Sequence, residues 1–153
     1  MDDEDVMGVQ ERMIFHIWSQ VKKNDQHLID AVNRYRISQE KEEVTVDVPT
    51  LPFPRIPYCE AIEIVKEGGG DIEWGDDIES HHCDLIAAKF PGFHFIPRWP
   101  MAMKPFYIHH KEGEQGASGG QLSRGFDLNY GRDEMTSGGA REHRVDVLSL
   151  IHI

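Results

Sequence analysis

Only two of the 153 residues are cysteine, Cys59 and Cys83, and they are too few and too far apart for a disulfide framework or a C-x-x-C site. That scarcity favours a reducing compartment, and the expected location is cytoplasmic. Long apolar runs are also missing: none approaches the roughly 18 residues that a membrane span needs, so no membrane partner is expected. The opening Asp2-Asp3-Glu4-Asp5 is the reverse of a basic secretory n-region, which argues against export. Basic residues are the third shortage. Sixteen Lys and Arg stand against 27 Asp and Glu, a formal net charge of −11. Such a surface repels phosphate backbones, so no independent nucleic-acid-binding module is visible. The shortage eases along the chain: residues 1–50, 51–100 and 101–153 carry net charges of −5, −5 and −1. Acidic ligands would be held most easily in the last third.

What is present is enough to fold. A chain of this length fits one domain that buries roughly 70% of its unfolded surface. Val6, Val9, Met13, Ile14, Ile17, Trp18 and Val21 recur at helical spacing, with acids first and Lys22-Lys23 last, which suits the helix dipole. A second helix is expected through Leu28, Ile29, Val32 and Tyr35, after the capping candidates Asn24-Asp25. Val44, Val46 and Val48 alternate with polar residues as in a short strand or extended arm, and Pro49, Pro52, Pro54 and Pro57 keep the chain extended. Ala61, Ile62 and Val65 predict a helix closed by Gly68-Gly69-Gly70, and an acidic loop Asp71–Glu79 leads into a helix through Leu85, Ile86 and Ala88. From Phe93 the pattern turns to strands: Phe93–Ile96, Phe106–His109, Phe126–Tyr130 and Glu134–Thr136, with a surface loop over Gly113–Gly120. The fold class expected is α+β, an antiparallel sheet flanked by helices. Its segments are 1–43 helical, 44–92 linker and helices, 93–148 strands and 149–153 an atypical tail.

The segment Phe126 to Arg144 carries the most chemistry. It reads as a hairpin whose second strand delivers Glu134, Ser137, Gly138, Gly139 and then Arg141 at the mouth of a following helix. A carboxylate and a hydroxyl can share a hard cation such as Mg²⁺, which completes its shell with phosphate oxygens and water. The two glycines would let backbone approach a ligand. Arg141 offers a planar fork for a carboxylate. Spacing alone favours a structural Glu134–Arg141 ion pair beside an ordinary turn, since structural charge networks are common.

Other candidates carry plainer readings. His81-His82 with Cys83, and His109-His110, are adjacent pairs whose side chains diverge and do not chelate well together. Asp76-Asp77 reads as a solvated acidic loop, Trp74 and Trp99 as core anchors, and Cys59 as a small buried residue. Lys104 suits either a substrate-facing position or an ordinary surface.

Four ordered blocks resemble the archaeal and eukaryotic type of aspartyl-tRNA synthetase, a class II synthetase. They are Phe53-Pro54-Arg55-Ile56-Pro57-Tyr58-Cys59-Glu60-Ala61-Ile62, Glu73-Trp74-Gly75-Asp76-Asp77-Ile78, Trp99-Pro100 with Lys104-Pro105-Phe106-Tyr107, and Phe126-Asp127-Leu128 followed by Glu134-Met135-Thr136-Ser137-Gly138-Gly139-Ala140-Arg141-Glu142-His143. The resemblance covers about Asp5 to Leu148. It implies part of a class II catalytic domain that activates L-aspartate with ATP and Mg²⁺ and passes the aspartyl group to tRNA. Glu134 would bind ATP and Mg²⁺, Ser137 the metal and aspartate, and Arg141 the aspartate side chain. The same pocket would serve an asparagine-making paralogue, and a non-catalytic truncated product is the further alternative. The three class II signature motifs are absent, among them the one that builds the family's homodimer. The expectation is therefore a fragment, inactive alone, whose tRNA contacts lie in regions outside this chain.

Overall fold

A computed structural model describes residues 2–116 and 119–150, so residues 117 and 118 of the expected Gly113–Gly120 loop and 151–153 of the tail lie outside the described residues. The chain divides into a helical unit, Gly8–Pro52, and a second unit formed by the residues up to Met7 together with those from Phe53 onward.

The helical unit contains most of α1 (Asp3–Asn24) and all of α2 (Gln26–Ser38). Helix α1 begins on Asp3, Glu4 and Asp5 and ends on Lys22 and Lys23, each charge opposite to the helix-end dipole it meets. Asp25 precedes α2 but makes no side-chain capping bond. Of the two forms expected at Val44–Val48, the strand does not form, because among the described residues no second strand pairs with it. A side chain takes over part of the ladder's role instead: the Asn33 amide donates to the Val44 carbonyl at 2.9 Å and accepts the Val44 N–H at 2.8 Å. Arg36 Nε donates to the Glu42 carbonyl at 2.7 Å, and Lys22 pairs with Asp47 at 3.2 Å. The arm is extended, as its alternation suggests, but bonded to helices.

In the second unit, α3 (Tyr58–Glu67) and α4 (Ser80–Lys89) pack on a three-stranded antiparallel sheet in the order β1-β4-β5. Its strands are β1 (Phe93–Pro97), β4 (Gly125–Tyr130) and β5 (Asp133–Gly139). A two-stranded ribbon, β2 (His110–Gln115) with β3 (Gln121–Ser123), lies between β1 and β4 in sequence, and α5 (Val145–Leu150) follows β5. The α+β arrangement of helices around an antiparallel sheet is as expected. Strand alternation gives the sheet two faces. Phe95, Phe126 and Leu128 lie on one, fully buried, with Phe126 edge-on to Phe95 at 5.6 Å. Ile96 lies on the other and joins the core of Ile56, Tyr58, Ile62, Val65, Ile86 and Trp99 under the helices. That face continues past the helices onto Asp127 and Ser137, paired with Ile96 in turn across the strands.

Two expectations are corrected here. Phe106 and Tyr107 form a turn, not a strand, and the next strand begins only at His110. Cys59 is exposed, because the buried arc of α3 is set by Tyr58, Ala61, Ile62 and Val65 and position 59 falls beyond it. Trp99 is a core anchor, donating its indole N–H to the Ile96 carbonyl at 2.8 Å. Trp74 packs edge-on against Tyr58 at 5.1 Å.

Candidate functional site

Glu134 and Ser137 are three apart, and on a regular strand that spacing would put them on opposite faces. A bulge restores them to one face. Leu128 pairs with Thr136 and Asn129 with Glu134, so Met135 is the extra residue, and Asp127 pairs with Ser137. Asp127, Asn129, Glu134 and Ser137 therefore share the face left open beyond the helices. A cleft of about 570 Å³ lies there, lined by Asp77, Lys104, Tyr107, Asp127, Glu134, Ser137 and Arg141 among others. All three site residues expected from the sequence meet in it. A smaller cleft of about 320 Å³ shares Asp77, Asp127 and Glu134 and extends to Asn129, Arg132 and Asp133.

Arg141 is placed by the turn that replaced the expected strand. After β5 the backbone pairs with residues 107–109: His109 N–H donates to the Ala140 carbonyl at 2.9 Å and Glu142 N–H to the Tyr107 carbonyl at 2.8 Å. The Arg141 guanidinium stacks on the Tyr107 ring, 4.2 Å from its centroid. It has no carboxylate partner among the described residues, so the structural ion pair with Glu134 that spacing allowed is not made. The neighbouring cation behaves in the opposite way. Arg144 bonds Glu142 through Nε at 3.0 Å and through its terminal nitrogen at 2.8 Å. Arg144, with the backbone N–H groups of Arg144 and His143, holds the Glu142 carboxyl well below the usual carboxylate range. One arginine is committed to the fold and one is open to a ligand.

Lys104 is a cleft residue. Its Nζ lies 3.1 Å and 3.3 Å from the two Asp127 oxygens and 4.1 Å from the centroid of the Trp99 ring. Burial pushes the Asp127 carboxyl up, and Lys104 pulls it partly back. Asp127 was not singled out from the sequence, although an acid alternating with Phe126 and Leu128 in an apolar strand was a usable signal.

The acidic loop contributes through two different roles. Asp76 closes a turn by accepting the Glu73 N–H at 2.9 Å, whereas Asp77 lines the cleft. The Tyr58 hydroxyl fixes the loop, donating to the Asp76 carbonyl at 2.6 Å and accepting the Gly75 N–H at 3.0 Å. Burial pushes its phenol up, which keeps the donor protonated.

Gly138 and Gly139 serve packing more than ligand approach. A Cβ on Gly138 would sit 2.7 Å from the Phe126 ring, and one on Gly139 would sit 2.8 Å from the Arg124 carbonyl. The histidine pairs are also engaged in the fold. His82 Nδ1 accepts the Glu79 N–H at 3.2 Å, and His109 Nδ1 bonds the His110 carbonyl at 2.7 Å. Among the described residues no three His, Cys, Asp or Glu side chains converge on one point. A hard cation beside Glu134 and Ser137 would take few protein oxygens and most of its shell from its ligand and water. With Lys104 and Asp127 neutralising each other, the cleft presents one open cation, Arg141, against two open carboxylates, Asp77 and Glu134. Its complement is a ligand with an anionic end for Arg141 and positive charge, ammonium or metal, elsewhere.

The profile of the family described as tRNA synthetases class II (D, K and N) matches residues 1–151. Among curated relatives, the chain is 33% identical over 147 residues to an Aspartate--tRNA(Asp/Asn) ligase of Archaeoglobus fulgidus, covering 96% of this chain and 31% of that protein. It is 34% identical over 152 residues to an Aspartate--tRNA(Asp) ligase of Thermococcus kodakarensis, with the same two coverages of 96% and 31%. The chain thus spans about a third of the length of these relatives. Among solved structures, asparaginyl-tRNA synthetase from Pyrococcus horikoshii superposes with a TM-score of 0.76 at 24% identity, over 98% of this chain and 33% of that one. Aspartyl tRNA synthetase from Entamoeba histolytica does so with a TM-score of 0.76 at 23% identity, over 98% and 30%. These two likenesses establish the fold.

Proposed function

The chain belongs to the class II tRNA synthetases of the D, K and N group, and from that premise we propose that it carries the aspartate and Mg·ATP site of an aspartate--tRNA ligase catalytic domain. The observation that carries the reading is the convergence of Glu134, Ser137 and an unpaired Arg141 in one cleft. The reaction has two steps. The α-carboxylate of L-aspartate attacks the α-phosphorus of ATP, giving aspartyl-adenylate and pyrophosphate; a ribose hydroxyl of the terminal adenosine of tRNA then attacks the aspartyl carbonyl, forming the ester and releasing AMP. Neither step needs a protein nucleophile, so the protein's tasks are positioning and charge complementarity.

Arg141, held over the Tyr107 ring, would present its N–H groups to the aspartate side chain. An asparagine amide would turn donors toward donors there, so the site favours the acid. Lys104 is neutralised by Asp127, which leaves Arg141 as the open cation of the cleft. Glu134 and Ser137 would hold Mg²⁺, which when bound neutralises phosphate charge. The adjoining cleft, which shares Glu134, gives room for the nucleotide. Contacts to tRNA are assigned to segments that the relatives carry outside the matched third. The working place is cytoplasmic, and among the described residues no helix is long and apolar enough to cross a membrane.

The test is calorimetric titration of the purified chain with L-aspartate and L-asparagine in the presence of Mg·ATP. Aspartate should bind the tighter, and Arg141→Ala should weaken it at least tenfold, while circular dichroism is unchanged. Equal aspartate affinity in that variant would rule the assignment out.

A further inference from the structure

Glu142 is buried, charged and unused by the reaction proposed above, although it follows Arg141 directly in the chain. The two neighbours are placed in opposite ways: Arg141 is exposed in the cleft, whereas only 4% of the Glu142 side chain is exposed and the lining of the cleft does not include it. A buried carboxylate destabilises a fold unless its oxygens are filled, and here they are. Oε1 accepts the backbone N–H groups of His143 and Arg144, each at 2.9 Å, and the Arg144 Nε–H at 3.0 Å. Oε2 accepts from a terminal nitrogen of Arg144 at 2.8 Å. His109 closes the arrangement from the other segment. Its Nδ1 bonds the His110 carbonyl at 2.7 Å, and a carbonyl only accepts, so Nδ1 carries a proton. Its Nε2 lies 3.5 Å from the Arg144 terminal nitrogen and 3.6 Å from Oε2 of Glu142. A neutral ring there faces the Arg144 donor and a protonated one faces the carboxylate, so either form fits.

This clasp joins the same two segments that aim Arg141. The backbone bonds from His109 to Ala140 and from Glu142 to Tyr107 flank an isolated bridge between Ile108 and Arg141, and the guanidinium lies over the Tyr107 ring. Arginine has a long side chain with much rotamer freedom, so its aim depends on what fixes its backbone and the ring beneath it. We propose that Glu142 is a positioning residue for aspartate recognition: by clasping Arg144 and facing His109, it locks the segment after β5 to the 107–109 turn and so holds Arg141 over Tyr107. The inference rests on the proposed aspartate site and deepens it, because Glu142 acts only through Arg141.

The experiment uses the whole chain and two readouts: the Arg141 Nε–H resonance without ligand, and the Kd values for L-aspartate and Mg·ATP by calorimetry. A ring beneath a guanidinium moves its Nε–H upfield. Glu142→Gln should return that resonance toward the position of an exposed arginine and raise the aspartate Kd about fivefold, with Mg·ATP binding unchanged. Arg144→Gln should act in the same direction, and because the Arg144 side chain is 43% exposed it keeps the inference testable if Glu142→Gln does not fold. In an Arg141→Ala background Glu142→Gln should have no further effect on aspartate, since a residue that acts through another adds nothing once that partner is gone. A merely structural role would persist in that background and would disturb Mg·ATP as well. An Arg141 resonance unmoved by both single substitutions, or an aspartate effect of equal size with and without Arg141, overturns the inference. Absence of aspartate binding to the unsubstituted chain would sink the aspartate reading, and the ligand-free resonance would separately decide whether Glu142 positions Arg141.

Discussion

The helical unit Gly8–Pro52 and the unit around the β1-β4-β5 sheet use similar apolar patterns to different ends. In α3 the repeat Tyr58, Ala61, Ile62 and Val65 is wholly buried against Ile96 and Trp99. In α2 the repeat Leu28, Val32 and Tyr35 stays exposed. Periodicity fixes which residues share a helix face, but it does not say whether the partner surface lies in the same chain. The polar residues divide in the same way. On the sheet they converge as Lys104, Asp127, Glu134, Ser137 and Arg141, whereas in the helical unit Asn33, Arg36 and Lys22 are spent tying down the arm. One unit gathers its polar side chains in a cleft, and the other spends them on its own backbone.

The largest expected effect comes from breaking the pair at the centre of the cleft. Lys104→Met would leave the Asp127 carboxylate buried without its cation, a loss of about 3 kcal/mol. Burial already raises this carboxyl in the folded chain, and removing Lys104 raises it further. A raised acid favours folding when protonated, so stability falls as pH rises from the unfolded value of about 3.9 through the folded one. Urea unfolding should therefore show a larger deficit at pH 7 than at pH 4. A deficit independent of pH would show that Lys104 acts by packing alone.

A smaller effect, about 2 kcal/mol, is expected from Gly138→Ala, because the new methyl meets the Phe126 ring at 2.7 Å. Exchange protection should drop at β4 and β5 amides and stay unchanged at Val32. The smallest belongs to the helical unit. Asn33→Leu removes both bonds to Val44 and should cost about 1 kcal/mol. Faster exchange at the Val44 amide with no change at Leu128 would sharpen the contrast, and the reverse would erase it.

Much of the fold was legible because its signals are local. Helices α1, α2, α3 and α4 and strands β1, β4 and β5 follow from apolar spacing and from Gly and Pro punctuation. Phe106–His109 misled because alternation marks extended backbone without showing whether a neighbouring strand exists, and for the same reason Val44–Val48 left a strand and an extended arm both open. The site was legible only in part. Glu134, Ser137 and Arg141 stood out through resemblance, but spacing could not reveal the bulge at Met135 that turns Glu134 and Ser137 to one face. Nor could it reveal the Lys104–Asp127 pair, whose members lie 23 residues apart and meet only once β4 has its register. The stacking of Arg141 on Tyr107 likewise depends on backbone pairing between segments distant in sequence.

The most direct test is an NMR titration of the isotopically labelled chain with L-aspartate followed by Mg·ATP. Aspartate should shift the Arg141 side-chain Nε–H and the amides of Tyr107, Ser137 and Gly138, and Mg·ATP should then move Glu134 and Asp133, with Val32 and Tyr35 silent throughout. An Arg141 Nε–H that does not respond, or shifts centred on α2, would contradict the account.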